Sequence, residues 1–287
     1  MTHDDQGRRP SGSAAFDVPV ASVVIPAHDE ADAIVGTLTV LLSDAAEGEF
    51  EVVVVCNGCT DDTSARARSV PGVRVEEIVT PSKIAALRRG DELVGAFPRI
   101  YLDGDVELAT AAARALASVL GEDGALAGGV PGHVCADDAS LGARLFMEFR
   151  QRLPVMQAGI IGAGVYAMSQ QGRERFGIWP EVSGDDQFIL RLFRPEERVT
   201  VSGHHTVVEA PPDLRTIVRR GLRVRRGNQQ LSRGGEGHQP LQPPPAGFRE
   251  ALRASPRTPR GVASAAVFVV VTLVIRVLDR FGGAGDW

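Results

Sequence analysis

The sequence predicts an α/β fold, a mostly parallel sheet flanked by helices and followed by an apolar helix near the C-terminus. Three observations predict it. Short apolar, β-branched runs alternate with helical spacing through the first half, as parallel strands joined by crossover helices do. Polar loops fall at the ends of those runs. A single long apolar stretch, from Gly261 to Ile275, follows a segment rich in Gly, Pro and Gln.

Each element has its own signal. Residues 21–26 (ASVVIP) form an apolar run closed by proline, a buried strand. Over 30–42, Ile34, Leu38, Leu41 and Leu42 share a helical face. Residues 50–55 read as a second strand, 62–69 as a helix, 73–78 as a third strand and 83–96 as a helix. Residues 99–102 (RIYL) make a fourth strand, followed by a helix over 109–120 and strand-like residues 125–130. The second half is less regular. Helices are expected over 140–153, 185–193 and 214–231, and a strand over 198–201. Residues 158–168 are small and apolar, with Gly159, Gly162 and Gly164 suited to close backbone approach to a ligand. The expected organisation is a disordered tail over 1–20 and one domain over 21–231, with a nucleotide-binding half to 130 and an acceptor half from 131. A linker over 232–247 and a helical tail over 248–287 follow.

Composition narrows the function. The chain has 287 residues, 44% of them hydrophobic, enough for a substantial core. A net charge of −5 argues against a general nucleic-acid partner. Three cysteines, Cys56, Cys59 and Cys135, fit a reducing, cytoplasmic setting. Residues 1–17 lack the apolar core of a secretion signal. The 261–275 run has 15 residues, short of the about 20 that span a bilayer. It is expected either to dock on the domain or to lie at the inner face of the cell membrane as a peripheral contact. Of the 31 basic residues only Lys83 is a lysine, so that position calls for a compact ammonium.

The chemistry gathers at strand ends, where ligands of parallel α/β sheets bind. The first strand ends in Pro26-Ala27-His28-Asp29-Glu30, the second in a loop from Cys56 to Thr63, the fourth in Asp103-Gly104-Asp105. Two close carboxylates repel unless a cation sits between them. Mg²⁺ or Mn²⁺ takes carboxylate, water and phosphate oxygens, so a diphosphate would complete the shell. A solvated turn is the plain alternative for Asp-Gly-Asp.

Taken together, VVIPAHDE (23–30), VVVVCNGCTDDT (52–63), SKIAALRRG (82–90), YLDGD (101–105), GAGVYAMS (162–169) and GDDQFILRL (184–192) resemble the family 2 glycosyltransferases of GT-A fold. The resemblance covers residues 21–231. It implies transfer of a sugar from a nucleotide-diphosphate donor to an acceptor hydroxyl of a polysaccharide, lipid or small molecule, with inversion. It also implies that Pro26, Ala27, Glu30 and Asn57 line the nucleoside pocket and that Lys83 lies near the base or diphosphate. Asp103 would meet the ribose or the metal's water shell, and Asp105 would bind the metal. Gly164 would border the donor sugar. The general base would be Asp185 or Asp186; Arg191 stands six residues after Asp185, which favours Asp185. Two adjacent acids at a helix start also serve as plain caps. Arg223, Arg225 and Arg226 fall where the family carries a segment closing over the diphosphate; a solvated helix and a lipid-facing basic face are equal alternatives. His204 and His205 could supply a metal ligand, though plain surface residues are the commoner reading.

Cys56 and Cys59 depart from the family pattern, in which an acidic residue and a serine are commoner. They open rival readings: a thiol redox motif, or a zinc site with His133 and Cys135. A nucleotidyltransferase would need a Gly-rich basic loop after the first strand, where His28-Asp29-Glu30 is acidic. A non-catalytic sugar-nucleotide-binding protein would have no use for Asp185.

Overall fold

The structure is a computed structural model and describes residues 16–121, 125–182, 184–233 and 247–281. The tail expected over 1–20 and the linker expected over 232–247 lie largely outside the described residues.

The chain runs β1 (Ala21–Ala27), α1 (Ile34–Leu42), β2 (Phe50–Asn57), α2 (Thr63–Arg68), β3 (Val73–Ile78), α3 (Lys83–Leu93), β4 (Arg99–Leu102) and α4 (Thr110–Gly121). It continues through β5 (Ala127–Gly129), β6 (Gly132–Cys135), α5 (Leu141–Gln151), α6 (Pro154–Gln157), β7 (Val165–Met168), α7 (Gln170–Glu174) and α8 (Asp185–Leu192). It closes with β8 (Arg198–Thr200), β9 (Thr206–Glu209), α9 (Leu214–Arg233), α10 (Phe248–Ala254) and α11 (Pro259–Phe281).

Seven strands form a mixed, mostly parallel sheet in the order β3-β2-β1-β4-β7-β5-β8, with β7 antiparallel to both its neighbours. β1 is buried along its whole length because it pairs on both sides, with β2 and β4, and is covered on both faces. That is why it reads as an unbroken apolar run. One face packs on Ile34, Leu38 and Leu41 of α1 and Leu116 of α4. The other packs on Ile84 and Leu87 of α3 and Phe188 and Ile189 of α8. Gly90 lets α3 press onto β1: a Cβ there would come within 2.3 Å of Val24. A third core joins α5, α9 and α11 through Ala143, Phe146, Met147, Ile217 and Val271.

Several boundaries differ from the sequence reading, each for a local reason. The helix expected from residue 30 starts at Ile34, because the preceding loop is held elsewhere. The backbone N–H groups of Glu30 and Ala31 donate to Thr63 and Asp61. The helix expected to residue 96 stops at Leu93, since the N–H groups of Gly95 and Ala96 both donate to the Glu51 carboxylate. The single helical tail is two helices, α10 and α11, separated at Ser255 to Thr258. Pro256 cannot continue a helix, and Pro259 fits the first turn of the next. The glycine stretch 158–168 ends in the antiparallel strand β7. The small parallel pair β6–β9 was not expected.

Candidate active site

β1, β2 and β4 run parallel, so their carboxyl ends open on one edge of the sheet. The loops after them meet there. The Asp29 carboxylate accepts from the Thr60 backbone N–H at 2.6 Å, and Thr37 donates its hydroxyl to the Gly104 carbonyl at 2.9 Å. Asp29 carries a φ of 54°, a conformation that Asp tolerates better than most residues.

Beside this edge lies a cavity of about 670 Å³, lined by Lys83, Asp103, Gly164, Tyr166, Asp185 and Asp186, with Arg223 and Val224 of α9 closing one side. The Lys83 Nζ sits 2.7 Å from Asp103 Oδ1 and 3.0 Å from Asp185 Oδ2. Burial pulls the ammonium down, yet the Asp103 and Asp185 carboxylates outweigh it and hold the Lys83 pKa above the ordinary lysine range. Tyr166 also donates its hydroxyl to Asp185 Oδ2, at 2.8 Å. Asp185 Oδ1 has no hydrogen-bond partner among the described residues.

Negative charge exceeds this one lysine. Burial, then Asp105 and Asp103, push Glu30 up to about 7. Asp103 is raised by burial, with Lys83 partly offsetting and Asp185 and Asp105 adding. Burial and then Asp185 push Asp186 up to about 6. Such a set of oxygen donors suits a hard divalent cation, which takes one or two protein carboxylates and completes its shell with water and phosphate. Asp103 and Asp105 do not by themselves form a three-ligand cluster. Among the described residues that geometry occurs only at His28, Asp29 and Cys59.

The remaining expected residues are placed as follows. Pro26 and Ala27 are buried at the end of β1. Asn57 is buried and donates its amide to the Ala27 carbonyl at 2.8 Å, tying β1 to β2. Gly164 has a φ of 64°, and a Cβ there would strike Val106 at 2.3 Å; its carbonyl accepts from the Asp103 N–H. Arg225 turns to Asp279 of α11. Arg226 is exposed and does not line the cavity. His205 packs edge-to-face on His133 at 5.6 Å and lines a second cavity that shares no residue with the first. The structure therefore brings neither His204 nor His205 to the aspartate pair.

The rivals built on cysteine fare poorly. Cys56 is buried, and burial with Cys59 beside it pushes its pKa to about 12, the reverse of a reactive thiol. Cys56, Cys59, His133 and Cys135 do not come together as a zinc site.

The sequence reading missed the support behind the site. Tyr101 and Tyr166 face each other across β4 and β7 and stack at 5.2 Å, with Trp179 edge-on to Tyr101. Asp91 of α3 anchors this stack, accepting from the Tyr101 hydroxyl, the Trp179 indole N–H, Arg99 and Arg173. The chain has two tyrosines in all, and both sit here; that scarcity was the available signal. Arg150 of α5 was also missed. It lies behind Gly162, where a Cβ would come within 2.8 Å of its guanidinium, and burial lowers its pKa.

Residues 22–170, just over half of the chain, match glycosyl transferase family 2. Among solved structures the chain is similar to the mannosyltransferase PcManGT from Pyrobaculum calidifontis in complex with GDP-Man and Mn²⁺. The TM-score is 0.56 and the identity 19%, over 93% of this chain and 77% of that one. It is also similar to glucosyl-3-phosphoglycerate synthase from Mycobacterium tuberculosis in complex with Mn²⁺ and UDP-Glc. There the TM-score is 0.52 and the identity 21%, over 76% of this chain and 80% of that one. At these identities the likeness is one of fold. No curated protein matches the chain.

Proposed function

The chain belongs to glycosyl transferase family 2 and has the GT-A fold, and we propose that it transfers a sugar from a nucleotide-diphosphate donor to an acceptor hydroxyl by metal-dependent, inverting displacement. The observation that carries this reading is the Lys83–Asp103–Asp185 constellation on a cavity at the carboxyl edge of the sheet.

Asp185 is the base. Lys83 and Tyr166 hold its Oδ2 in place, which leaves Oδ1 to take the acceptor proton. The acceptor oxygen then attacks the anomeric carbon as the bond to the diphosphate breaks, and the nucleotide leaves with the electron pair. A single displacement inverts the anomeric centre. Asp105, with Asp103, would hold Mn²⁺ or Mg²⁺, whose charge would offset that of the departing diphosphate. Arg223, on the cavity wall, supplies a guanidinium group to the diphosphate, whereas Arg226 lies off the cavity. Pro26, Ala27, Glu30 and Asn57 border the nucleoside, and Gly164 lets the donor sugar approach the backbone. Residues 21–130 serve the donor and 131–231 the acceptor. The protein works in the cytoplasm, at the inner face of the cell membrane.

A thermal-shift screen of nucleotide sugars with Mn²⁺ tests this. A ligand at a hundredfold its Kd adds about 2.7 kcal/mol to folded-state stability. At least one nucleotide sugar should raise Tm in a Mn²⁺-dependent way. A uniformly flat screen, with the free nucleotides equally inert, would defeat the reading.

A further inference from the structure

The two faces of α11 differ. One docks on the domain: Phe268 stacks on Phe146 of α5 at 5.1 Å, and Val271 is buried in the core shared with α5 and α9. Gly221 of α9 admits Ile275 so closely that a Cβ there would lie 2.4 Å from it, and Arg225 and Gln229 both donate to Asp279. The other face is bare. Val262, Val270, Leu273, Val277, Leu278 and Phe281 are exposed, Leu273 by 52% and Phe281 by 79%. From Val270 onward they fall at helical spacing i, i+3, i+7, i+8 and i+11, one continuous stripe on a helix about 35 Å long. Exposed apolar surface on this scale marks an interaction site.

The charge around the stripe indicates what covers it. Between residues 214 and 281 there are thirteen arginines and three acidic residues, in a chain whose net charge is −5. Arg219, Arg220, Arg249, Arg253, Arg276 and Arg280 are all exposed. A two-fold pairing of this face with itself would set two strongly positive surfaces together.

We propose that this face seats the protein on an anionic bilayer, with α11 lying in the plane, its apolar stripe at the acyl boundary and the arginines among the headgroups. A spanning helix would have to abandon the contacts with α5 and α9, so α11 stays on the surface. α9 links this surface to the site: Arg223 and Val224 line the cavity, while Gly221 and Arg225 hold α11. The acceptor is accordingly a hydroxyl carried by a membrane lipid. That last step rests on the glycosyl-transfer reading, whereas the docking does not.

The full-length protein is sedimented with phosphatidylcholine vesicles with and without phosphatidylglycerol. It should bind the anionic vesicles alone, and more weakly as salt rises. Leu273→Glu with Val277→Glu should lower partitioning by roughly tenfold or more. Arg276→Glu with Arg280→Glu should do the same, each arginine near the surface contributing about fivefold. Tm and nucleotide-sugar binding should stay unchanged in both variants, which shows that they fold. Absence of binding to anionic vesicles, equal binding by the variants, or a dimer in solution that ignores vesicles would overturn the docking. If the protein docks and binds a nucleotide sugar but leaves no sugar on extracted vesicle lipid from a cell membrane, the lipid acceptor falls and the docking stands. Failure to bind any nucleotide sugar counts against the transferase reading alone.

Discussion

Asp91 and Asp185 are buried carboxylates tied to the same aromatic stack, one through Tyr101 and the other through Tyr166. Their surroundings differ. Asp91 is satisfied by two arginines, an indole and a phenol, and lines no described cavity. Asp185 shares a single lysine with Asp103, faces a cavity, and has Asp186 beside it with a pKa pushed up to about 6, while Glu30, on the Asp103 and Asp105 side, is pushed up to about 7. Full compensation builds a rigid support. Incomplete compensation leaves charge for a cation and a substrate to meet. The two clusters illustrate how a fully compensated carboxylate and an incompletely compensated one can share a single aromatic stack.

The sharpest way to break this comparison is to neutralise one member of each cluster. Asp185→Asn should lower transfer by about 10²–10⁴-fold while donor binding and Tm change little, as expected for loss of a base. A larger loss from Asp186→Asn would move the base by one residue. Asp91→Ala should do the reverse. It strands Arg99 and Arg173 in the core, and unfolding in denaturant should show a loss of about 3–5 kcal/mol. Smaller is the effect of cutting the link between them. Tyr166→Phe should lower kcat by about tenfold with KM nearly unchanged, because it loosens one hydrogen bond that orients Asp185.

How far these residues were legible follows from how local their signals are. β1, β2 and β4 were readable because strands buried on both faces are apolar over most of their length, and Asp103-Gly104-Asp105 was readable because it follows one of them. The Lys83–Asp103 pair spans 20 residues and the Asp91–Trp179 bond 88, separations that no periodicity encodes. Lys83 stood out through its rarity and through the resemblance of residues 82–90, but neither pairs it with Asp103 or Asp185. β6 escaped because a four-residue strand with Gly132 and His133 carries too little pattern, and its pairing with β9 has no local signal. The break in the C-terminal helix was visible in Pro256 and Pro259, but the strong apolar run beyond them dominated the reading. Arg223 and Arg226 looked equivalent in sequence, and only the packing of α9 set Arg223 on the cavity.

The least effect, and the subtlest, is in pH. Glu30 and Asp186 have pKa values above their ordinary ones, so they favour the folded state fully below about pH 4 and lose that contribution as pH rises through 6 to 7. In chelator, Tm should therefore drift down by a few degrees between about pH 5 and about pH 8. Mn²⁺ should flatten this drift, since a cation favours the ionised forms. A Tm that rises across the same window in chelator would contradict the crowding of these carboxylates.

The most direct measurement is calorimetric titration of Mn²⁺ into the protein with a nucleoside diphosphate present, UDP and GDP in turn, for the wild type and for Asp105→Asn. The account predicts one Mn²⁺ bound in the presence of the cognate nucleotide and a loss of at least about tenfold in affinity in the variant. Equal Mn²⁺ affinity in the two proteins, or tight Mn²⁺ binding that persists without nucleotide and disappears on removal of His28, would place the ion elsewhere and contradict the account.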